Sequence, residues 1–343
     1  ALGTPLVMPV NLGDNEIVEE GISRVGAEHV RRLRRHALRT GDIIFSRRGD
    51  VGRRSIVRHQ QEGWLCGTGC LAARFGRRLN DVNPAYIALY IGTAVAQGWL
   101  QDNAVGGTMP NLNTSILAAL PIALPERSHQ DRAVSYLEDA DAIVTALEEQ
   151  VAKKNAMKQG MMQQLLTGRT RLPGFGRPWV DQRIAEIASI VKGAQLGRAS
   201  MDPGQSIPVW NGGIEPSGFT GRPNIERAVV TVSEGGNSCG WVGRPRGAFW
   251  LGGHCYALDP KSAGHSVSFL YHRLKLAEPQ IMALRVGSGL PNIQKKRLSD
   301  FVVSVPTDKS EAAAIADIQD VVDAEIAALH QRLEKARAIK TGM

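Results

Sequence analysis

The stretch GGTMPNLN, Gly106 to Asn113, recurs 181 residues later as GSGLPNIQ, Gly287 to Gln294. Gly, Pro and Asn are kept, while Leu replaces Met, Ile replaces Leu and Gln replaces Asn. At an offset of 182, Asp141 to Met161 aligns with Asp323 to Met343, with 9 of 21 positions identical, Leu147/Leu329, Lys153/Lys335 and Lys158/Lys340 among them. Two matches in the same order at nearly the same spacing mean a duplication. The period is far longer than a solenoid repeat, so each copy is a whole domain with its own helix, and 343 residues suit two such copies.

The matched helices are long and amphipathic. Val134, Leu137, Ala140, Val144, Leu147 and Val151 step by three and four inside Ser128 to Leu166; Ile315, Ile318, Val322, Ile326, Leu329, Leu333, Ala336 and Ile339 do the same inside Ser310 to Thr341. Ser310, beside Glu311, is the expected N-cap of the second. Thirty helical residues reach about 45 Å. A seam that long calls for a helical partner, and each helix is the natural partner of the other in a coiled coil, with Val144, Leu147, Val151, Ile326, Leu329 and Leu333 on the seam.

The segments ahead of the helices read as strands. Asp42 to Val57 gives an apolar strand, a basic Gly-rich turn and a second strand, and Ala228 to Val242 repeats that plan. Ile116 to Pro125 and Leu298 to Pro306 are expected as final strands leading into the helices. The fold class is therefore α+β, a pseudo-twofold repeat: strand-rich domains at 1-125 and 171-306, spacer helices at 126-170 and 307-343. No apolar run reaches the roughly 18 residues that span a bilayer, so no membrane partner and a cytoplasmic location are expected. Cys66, Cys70, Cys239 and Cys255 lack metal-ligand spacing and are expected as reduced thiols, with no metal and no cofactor in this chain.

Charge partitions with the architecture. The net +8 divides into +4 on 1-125, −1 on 126-170, +7 on 171-306 and −2 on 307-343. Two basic domains on near-neutral spacers suit a bipartite polyphosphate such as double-stranded DNA. Arg47, Arg48, Arg53 and Arg54 flank Gly49 and Gly52, and Arg244 and Arg246 flank Gly243, Pro245 and Gly247, where arginine can clamp phosphates or pair with guanine. A solvated, charge-rich turn is the alternative for each one. The run from Arg31 to Arg39 equally suits a wet helix face. Asn111, Asn113, Asn292 and Gln294 can pair with adenine, and Lys295 and Lys296 extend that set, but Pro-Asn is also ordinary turn chemistry. Because the motif stands in both copies, a positional role is favoured for the amides.

Enzymatic readings lack their residues. A self-contained adenine methyltransferase needs an Asn/Asp-Pro-Pro-aromatic motif. The nearest approach, Asn83-Pro84-Ala85-Tyr86, has Ala for the second Pro and leads into an ordinary helix. Cys66-Gly-Thr-Gly-Cys70 suits a hairpin better than a cofactor loop, and no Walker-type P-loop occurs. The other alternative is a scaffold that binds proteins only, which unlike a DNA reader would be little affected by salt.

DIIFSRRGDVGRRSIV, the two Pro-Asn turns leading to Pro125 and Pro306, and KQGMMQQLLTGRTRLP from Lys158 to Pro173 together resemble the specificity (S) subunit of type I restriction-modification enzymes. The resemblance covers nearly the whole chain. It implies two target recognition domains reading the halves of a gapped DNA sequence, on the family's conserved helices paired as an antiparallel coiled coil. It further implies two methyltransferase (M) subunits docked on those helices and restriction/translocase (R) subunits in the assembly, with S-adenosylmethionine, ATP and Mg on the partners and no catalytic residue here. The tract Trp179 to Gly197 resembles the family's domain-opening segment. Pro208 corresponds to Pro5, so about 25 further residues are expected ahead of Ala1. A glutamine-containing helix start is represented by Gln130 in the first copy and has no match in the second.

Overall fold

The computed structural model describes residues 3–106, 110–261, 265–287 and 289–342. Gly107 to Met109 and Ser288 of the paired motifs, and Met343 of the matched helix end, lie outside the described residues. The chain forms two compact units: residues 1–143 with 338–343, and residues 144–337.

In chain order the first copy comprises β1 (Thr4–Val7), β2 (Asp14–Asn15), β3 (Ser23–Val25), α1 (Ala27–Arg32), β4 (Ile43–Ser46), β5 (Arg54–Ile56), β6 (Leu65–Cys66), β7 (Cys70–Ala73), α2 (Pro84–Ile91), α3 (Ala94–Asn103), α4 (Thr114–Ala119) and α5 (Arg127–Leu165). The second comprises β8 (Trp179–Arg183), α6 (Ile184–Ile187), β9 (Ala188–Lys192), β10 (Ile207–Trp210), β11 (Phe219–Thr220), β12 (Val230–Ser233), β13 (Val242–Gly243), β14 (Trp250–Leu251), β15 (Cys255–Pro260), α7 (Val267–Leu276), α8 (Glu278–Met282), α9 (Lys295–Asp300), β16 (Val302–Pro306) and α10 (Lys309–Gly342).

The duplication holds at the level of register. β1 pairs antiparallel with β3 and parallel with β6, and β10 pairs in the same two ways with β11 and β14, which sets Pro5 and Pro208 at equivalent points. β4 lies antiparallel between β5 and β7, as β12 does between β13 and β15. Ser46 faces Cys70 and Ser233 faces Cys255, and each cysteine N–H closes a turn onto the carbonyl of Gly67 or Gly252, at 3.0 and 3.1 Å. Two of the four cysteines are thus one position in two copies, an equivalence hidden in the sequence by the divergence of GTGC from GGHC.

The copies differ where β8, α6 and β9 stand. β8 pairs with all five residues of β16, and β9 covers the outer edge of β15. Among the described residues the first copy has no such strands. Its expected final strand is corrected accordingly: α4 ends at Ala119, and 120–125 runs on without a strand partner. A strand persists only where its backbone groups find a neighbour.

Both copies pack conventional cores. Ile43, Phe45, Ile56, Ile87, Leu100 and Leu112 anchor the first. In the second, Val230, Val232, Tyr256, Leu258 and Phe269 are continuous with Met162 and Leu165 at the end of α5 and with Ala312, Ile315 and Ala316 at the start of α10. Within residues 144–337, α5 and α10 are joined by Glu148–Arg337 (2.7 Å), Lys154–Glu325 (2.6 Å) and Lys158–Asp323 (2.5 Å). Numbers rise on one helix as they fall on the other, so the two run antiparallel along this stretch. Leu147, Val151 and Leu333 are buried, and Val144, Ile326 and Leu329 are half-buried, in line with their three-and-four spacing. The expected Ser310 cap is corrected: the cap is Asp308, two residues earlier, whose Oδ1 accepts the Ser310 N–H at 2.9 Å.

Candidate nucleic-acid interface

The basic turn after β4 is built from its backbone outward. Ser46 Oγ donates to the Arg48 carbonyl at 3.0 Å. Gly49, at φ +79°, donates its N–H to the Pro110 carbonyl at 3.1 Å, and Leu112 N–H donates to the Arg47 carbonyl at 2.9 Å. The positive φ favours glycine at that point. The second copy repeats each bond: Ser233 Oγ to the Gly235 carbonyl, Gly236 (φ +77°) to the Pro291 carbonyl, and Ile293 N–H to the Glu234 carbonyl at 2.8 Å. Asn111 bridges to Arg48 and Val105, and Asn292 bridges to Gly235 and Val286. The recurrent Pro-Asn motif therefore clamps the turn through its main chain, which explains why it stands in both copies.

On this common backbone the side chains diverge. Arg47 and Arg48 correspond to Glu234 and Gly235. Arg48 is exposed; Arg47 is half-buried, and its Nε is sealed from water with no hydrogen-bond partner. The Asn111 amide oxygen is likewise buried and unpartnered, whereas Asn292 is exposed. Arg53 is half-exposed and pairs loosely with Asp50 at 3.8 Å.

Three of the sequence-selected groups are engaged inside the protein. Arg54 is buried, its Nε donating to the Ala88 carbonyl and its Nη1 to Asp14, both at 2.7 Å. Asn113 caps α4, accepting the Ile116 N–H at 2.9 Å. Arg244 donates to both carboxylate oxygens of Asp320 (2.7 and 3.3 Å) and to Ser268 Oγ (2.8 Å), and its guanidinium lies 4.7 Å from the Tyr271 ring centroid. Arg246 is exposed. Gln294 is exposed at the N-cap of α9 without a capping bond, and Lys295, Lys296 and Arg297 follow it, all exposed. The run Arg31 to Arg39 forms the end of α1 and a single 3-10 turn at 34–36, with Arg31, Arg32, Arg34, Arg35 and Arg39 exposed.

The Asp320 cluster was not legible in the sequence. Ser268 Oγ (2.5 Å) and the buried His272 Nε2 (2.9 Å) also reach this carboxylate. Burial alone would raise the Asp320 carboxyl, but the bonds from Arg244, Ser268 and His272 hold it well below the ordinary carboxylate range. His272, Asp320 and Asp323 have the mutual spacing of metal ligands. Asp320 is nevertheless filled by its donors and Asp323 pairs with Lys158, so the cations of the cluster are side chains. Two further anchors are buried polar residues near the starts of the long helices: Glu311, and Gln130, which the family resemblance had marked as the glutamine of the helix start. Arg171 grips the fully buried Glu311 with two bonds, at 2.5 and 2.7 Å. Gln130, also fully buried, accepts the Asn83 N–H and donates to the Asp81 and Pro125 carbonyls.

The arrangement offers cation-rich turns without an activated nucleophile. Burial, with Asp42 nearby, pushes the Cys66 thiol up to about 11; burial takes Cys70 and Cys255 to about 12, the reverse of reactive thiolates. Asn83, at the nearest approach to a methyltransferase motif, caps α2 through Ala85 and Tyr86.

A family model described as type I restriction modification DNA specificity domain matches residues 34–157 and 176–338. A protein of Mycoplasma genitalium provisionally named a type I specificity subunit is 28% identical over 165 residues, 47% of this chain and 42% of its own length. The type I restriction enzyme EcoBI specificity subunit of Escherichia coli is 23% identical over 215 residues, 63% of this chain and 44% of its own. The chain thus matches less than half the length of these relatives. In fold it is similar to the type I system S subunit of M. genitalium (TM-score 0.68, 15% identity, 99% of this chain and 91% of that one). It is also similar to the HsdS subunit of Thermoanaerobacter tengcongensis (TM-score 0.54, 19% identity, 99% and 88%).

Proposed function

Because this chain belongs to the type I restriction-modification DNA specificity family, we propose that it is the non-catalytic reader of a gapped duplex DNA target, each strand-rich domain contacting one half-site. The observation that carries this reading is the clamped turn. One backbone is held twice by the same bonds, yet presents Arg47-Arg48 in one copy and Glu234-Gly235 in the other. A common frame with divergent side chains is what reading two different half-sites requires. The placement of the positive charge on both domains supports phosphate contact.

The contacts are assigned to the groups that reach solvent: Arg48 and the half-exposed Arg53 in the first domain, Arg246, Asn292, Gln294, Lys295 and Lys296 in the second. Arg54, Asn113 and Arg244, spent on internal partners, are left out. α5 and α10 pair as a coiled coil that sets the gap and docks methyltransferase subunits, with restriction subunits joining. S-adenosylmethionine, ATP and Mg are assigned to those partners, and the assembly to the cytoplasm. Among the described residues no helix is long and apolar enough to cross a membrane.

Mapping N6-methyladenine across the host genome with and without the gene tests the whole reading. A gapped motif that disappears on deletion supports it, and an unchanged methylome refutes it. For the complex on its DNA, Lys295→Ala or Arg48→Ala should lower the slope of log affinity against log salt by about 1 for each phosphate left without its cation, or relax one base position.

A further inference from the structure

We propose that Leu290, at the tip of the clamped turn in the second domain, is an apolar wedge that enters the base stack of that domain's half-site and fills the gap between two base pairs it parts. This deepens the DNA-reading function proposed above and rests on it.

The tip stands in solvent on a mount that is tied down. Leu290 is 84% exposed, more than any other large apolar side chain among the described residues. A single exposed apolar residue is ordinary on a protein surface; its place is what distinguishes this one. Val286 and Asn292 exchange both main-chain bonds, at 2.9 and 3.0 Å, and the Pro291 carbonyl accepts the Gly236 N–H at 3.1 Å. Gly287, at φ +96°, turns the chain back so closely that the Leu290 carbonyl oxygen lies 3.4 Å from where a β-carbon would sit. Pro291 fixes its own φ and disfavours helical backbone at Leu290. A tip held this way resists being pushed back by what it meets.

The flanks carry the charge that brings a duplex to the tip. Asn292, Gln294, Lys295, Lys296 and Arg297 are all exposed, and no Asp or Glu occurs between Glu278 and Asp300. Cations that hold the phosphates press Leu290 against the bases between them. DNA offers an apolar side chain two surfaces, the thymine methyl group and the faces of bases parted from one another, and leucine and methionine are among the side chains that serve as wedges.

The duplication decides between the two. Met109, outside the described residues, stands at the matching position of the first copy, so the sequence puts a long apolar side chain without a β-branch at both tips. The neighbouring turn meanwhile changes from Arg47-Arg48 to Glu234-Gly235. A thymine contact serves one sequence and has to diverge with the half-site. A wedge does the same work at any sequence, and burial of its side chain offsets the cost of unstacking.

The test uses the assembled methyltransferase complex on duplexes of the gapped motif that methylome mapping supplies. 2-Aminopurine, which brightens when it loses its stacked neighbours, replaces each purine of the half-sites in turn, the methylated adenine excepted. At saturating complex, fluorescence should rise severalfold beside one step of the second domain's half-site. Leu290→Ser, a change in solvent that leaves the fold alone, should remove most of that rise and weaken binding roughly tenfold, while Leu290→Met should keep both. No bright step with the wild-type chain, or a step equally bright with Leu290→Ser, overturns the wedge and leaves the DNA reading standing on its methylated motif. Relaxed choice of one base in Leu290→Ser with brightness retained makes Leu290 a thymine reader and also overturns the wedge. Absence of any gapped motif overturns the DNA reading and the wedge with it.

Discussion

Asp320→Ala should cost about 3 kcal/mol of the stability of residues 144–337 while leaving the first domain's transition unchanged. The carboxylate receives bonds from three side chains of the second domain: Arg244 at 2.7 and 3.3 Å, Ser268 at 2.5 Å and His272 at 2.9 Å. A hydrogen bond to a charged group contributes about 1.5–3 kcal/mol, and breaking a fully buried ion pair costs about 3–5 kcal/mol. The upper figure does not apply, because the Arg244 and Asp320 side chains retain 25% and 36% exposure, and Arg244 keeps the Tyr271 ring. His272 has no such relief. It is fully buried, its Nδ1 already lacks a partner, and the variant would leave Nε2 without one as well. Discounting the solvent-screened pair and keeping the sealed imidazole gives the figure of about 3 kcal/mol, a large fraction of an ordinary domain's stability. Urea unfolding followed by tryptophan fluorescence suits the measurement, since Trp179, Trp210, Trp241 and Trp250, four of the six tryptophans, lie in this unit. Two transitions should resolve, with only the one carrying most of the fluorescence change moving to lower urea. A loss below about 1 kcal/mol would refute the reasoning, because it would make the cluster equivalent to a surface ion pair.

Acid should weaken the same unit. Burial lowers the His272 pKa, with Asp320 opposing, and burial and then Lys309 lower that of His265. The folded state thus binds fewer protons than the unfolded one, so the contribution is fully present above about pH 6.5, begins to fall below that value and is lost as pH drops through the lowered folded-state pKa values. Unfolding midpoints between pH 7.5 and 5.5 should drop, and His272→Gln should flatten the dependence; an unaltered slope would remove His272 from the account. Arg54→Ala should cost about 2 kcal/mol in the first unit by orphaning the Ala88 carbonyl and emptying a buried site, Asp14 being solvated without it, yet leave the salt dependence of DNA binding unchanged; a shallower slope would return Arg54 to the interface. Gln130→Ala releases three backbone partners and should accelerate hydrogen exchange at Asn83, while Leu333→Ala should cost about 2–5 kcal/mol as a buried leucine on the paired helices.

The architecture was legible wherever it depends on periodicity or on repetition. Three-and-four spacing located α5 and α10 to within a residue or two, and the two copies of the Pro-Asn motif located equivalent turns. Side-chain destinations were not legible, because they depend on elements far apart in sequence. Arg54 resembles Arg53 in the sequence, but it stands in β5 and turns inward to α2, while its neighbour remains partly in solvent. Arg244 resembles a loop arginine until α10, 76 residues later, brings Asp320 beside it. The final strand of the first domain failed for a related reason: Ile116 to Pro125 has a strand's composition, but pairing requires a second segment.

Duplication makes backbone and side chain separable at the clamped turn. The bonds from Gly49 to Pro110 and from Gly236 to Pro291 have the same length, 3.1 Å, and φ differs by two degrees between the glycines. The main chain therefore tolerates charge reversal at the preceding residues, Arg47 to Glu234, without changing shape. A turn that keeps its geometry under so large a chemical change is a platform on which side chains can be replaced independently. Exchange of the exposed pair alone, Arg48→Gly in one copy and Gly235→Arg in the other, leaves the bonds of Lys192 and Tyr256 to Glu234 in place and should accordingly preserve both folds by circular dichroism. It should also alter which half-site each domain prefers. Loss of fold in both exchanged copies would show that the turn's shape depends on its side chains after all, and that the shared backbone bonds do not suffice to hold it.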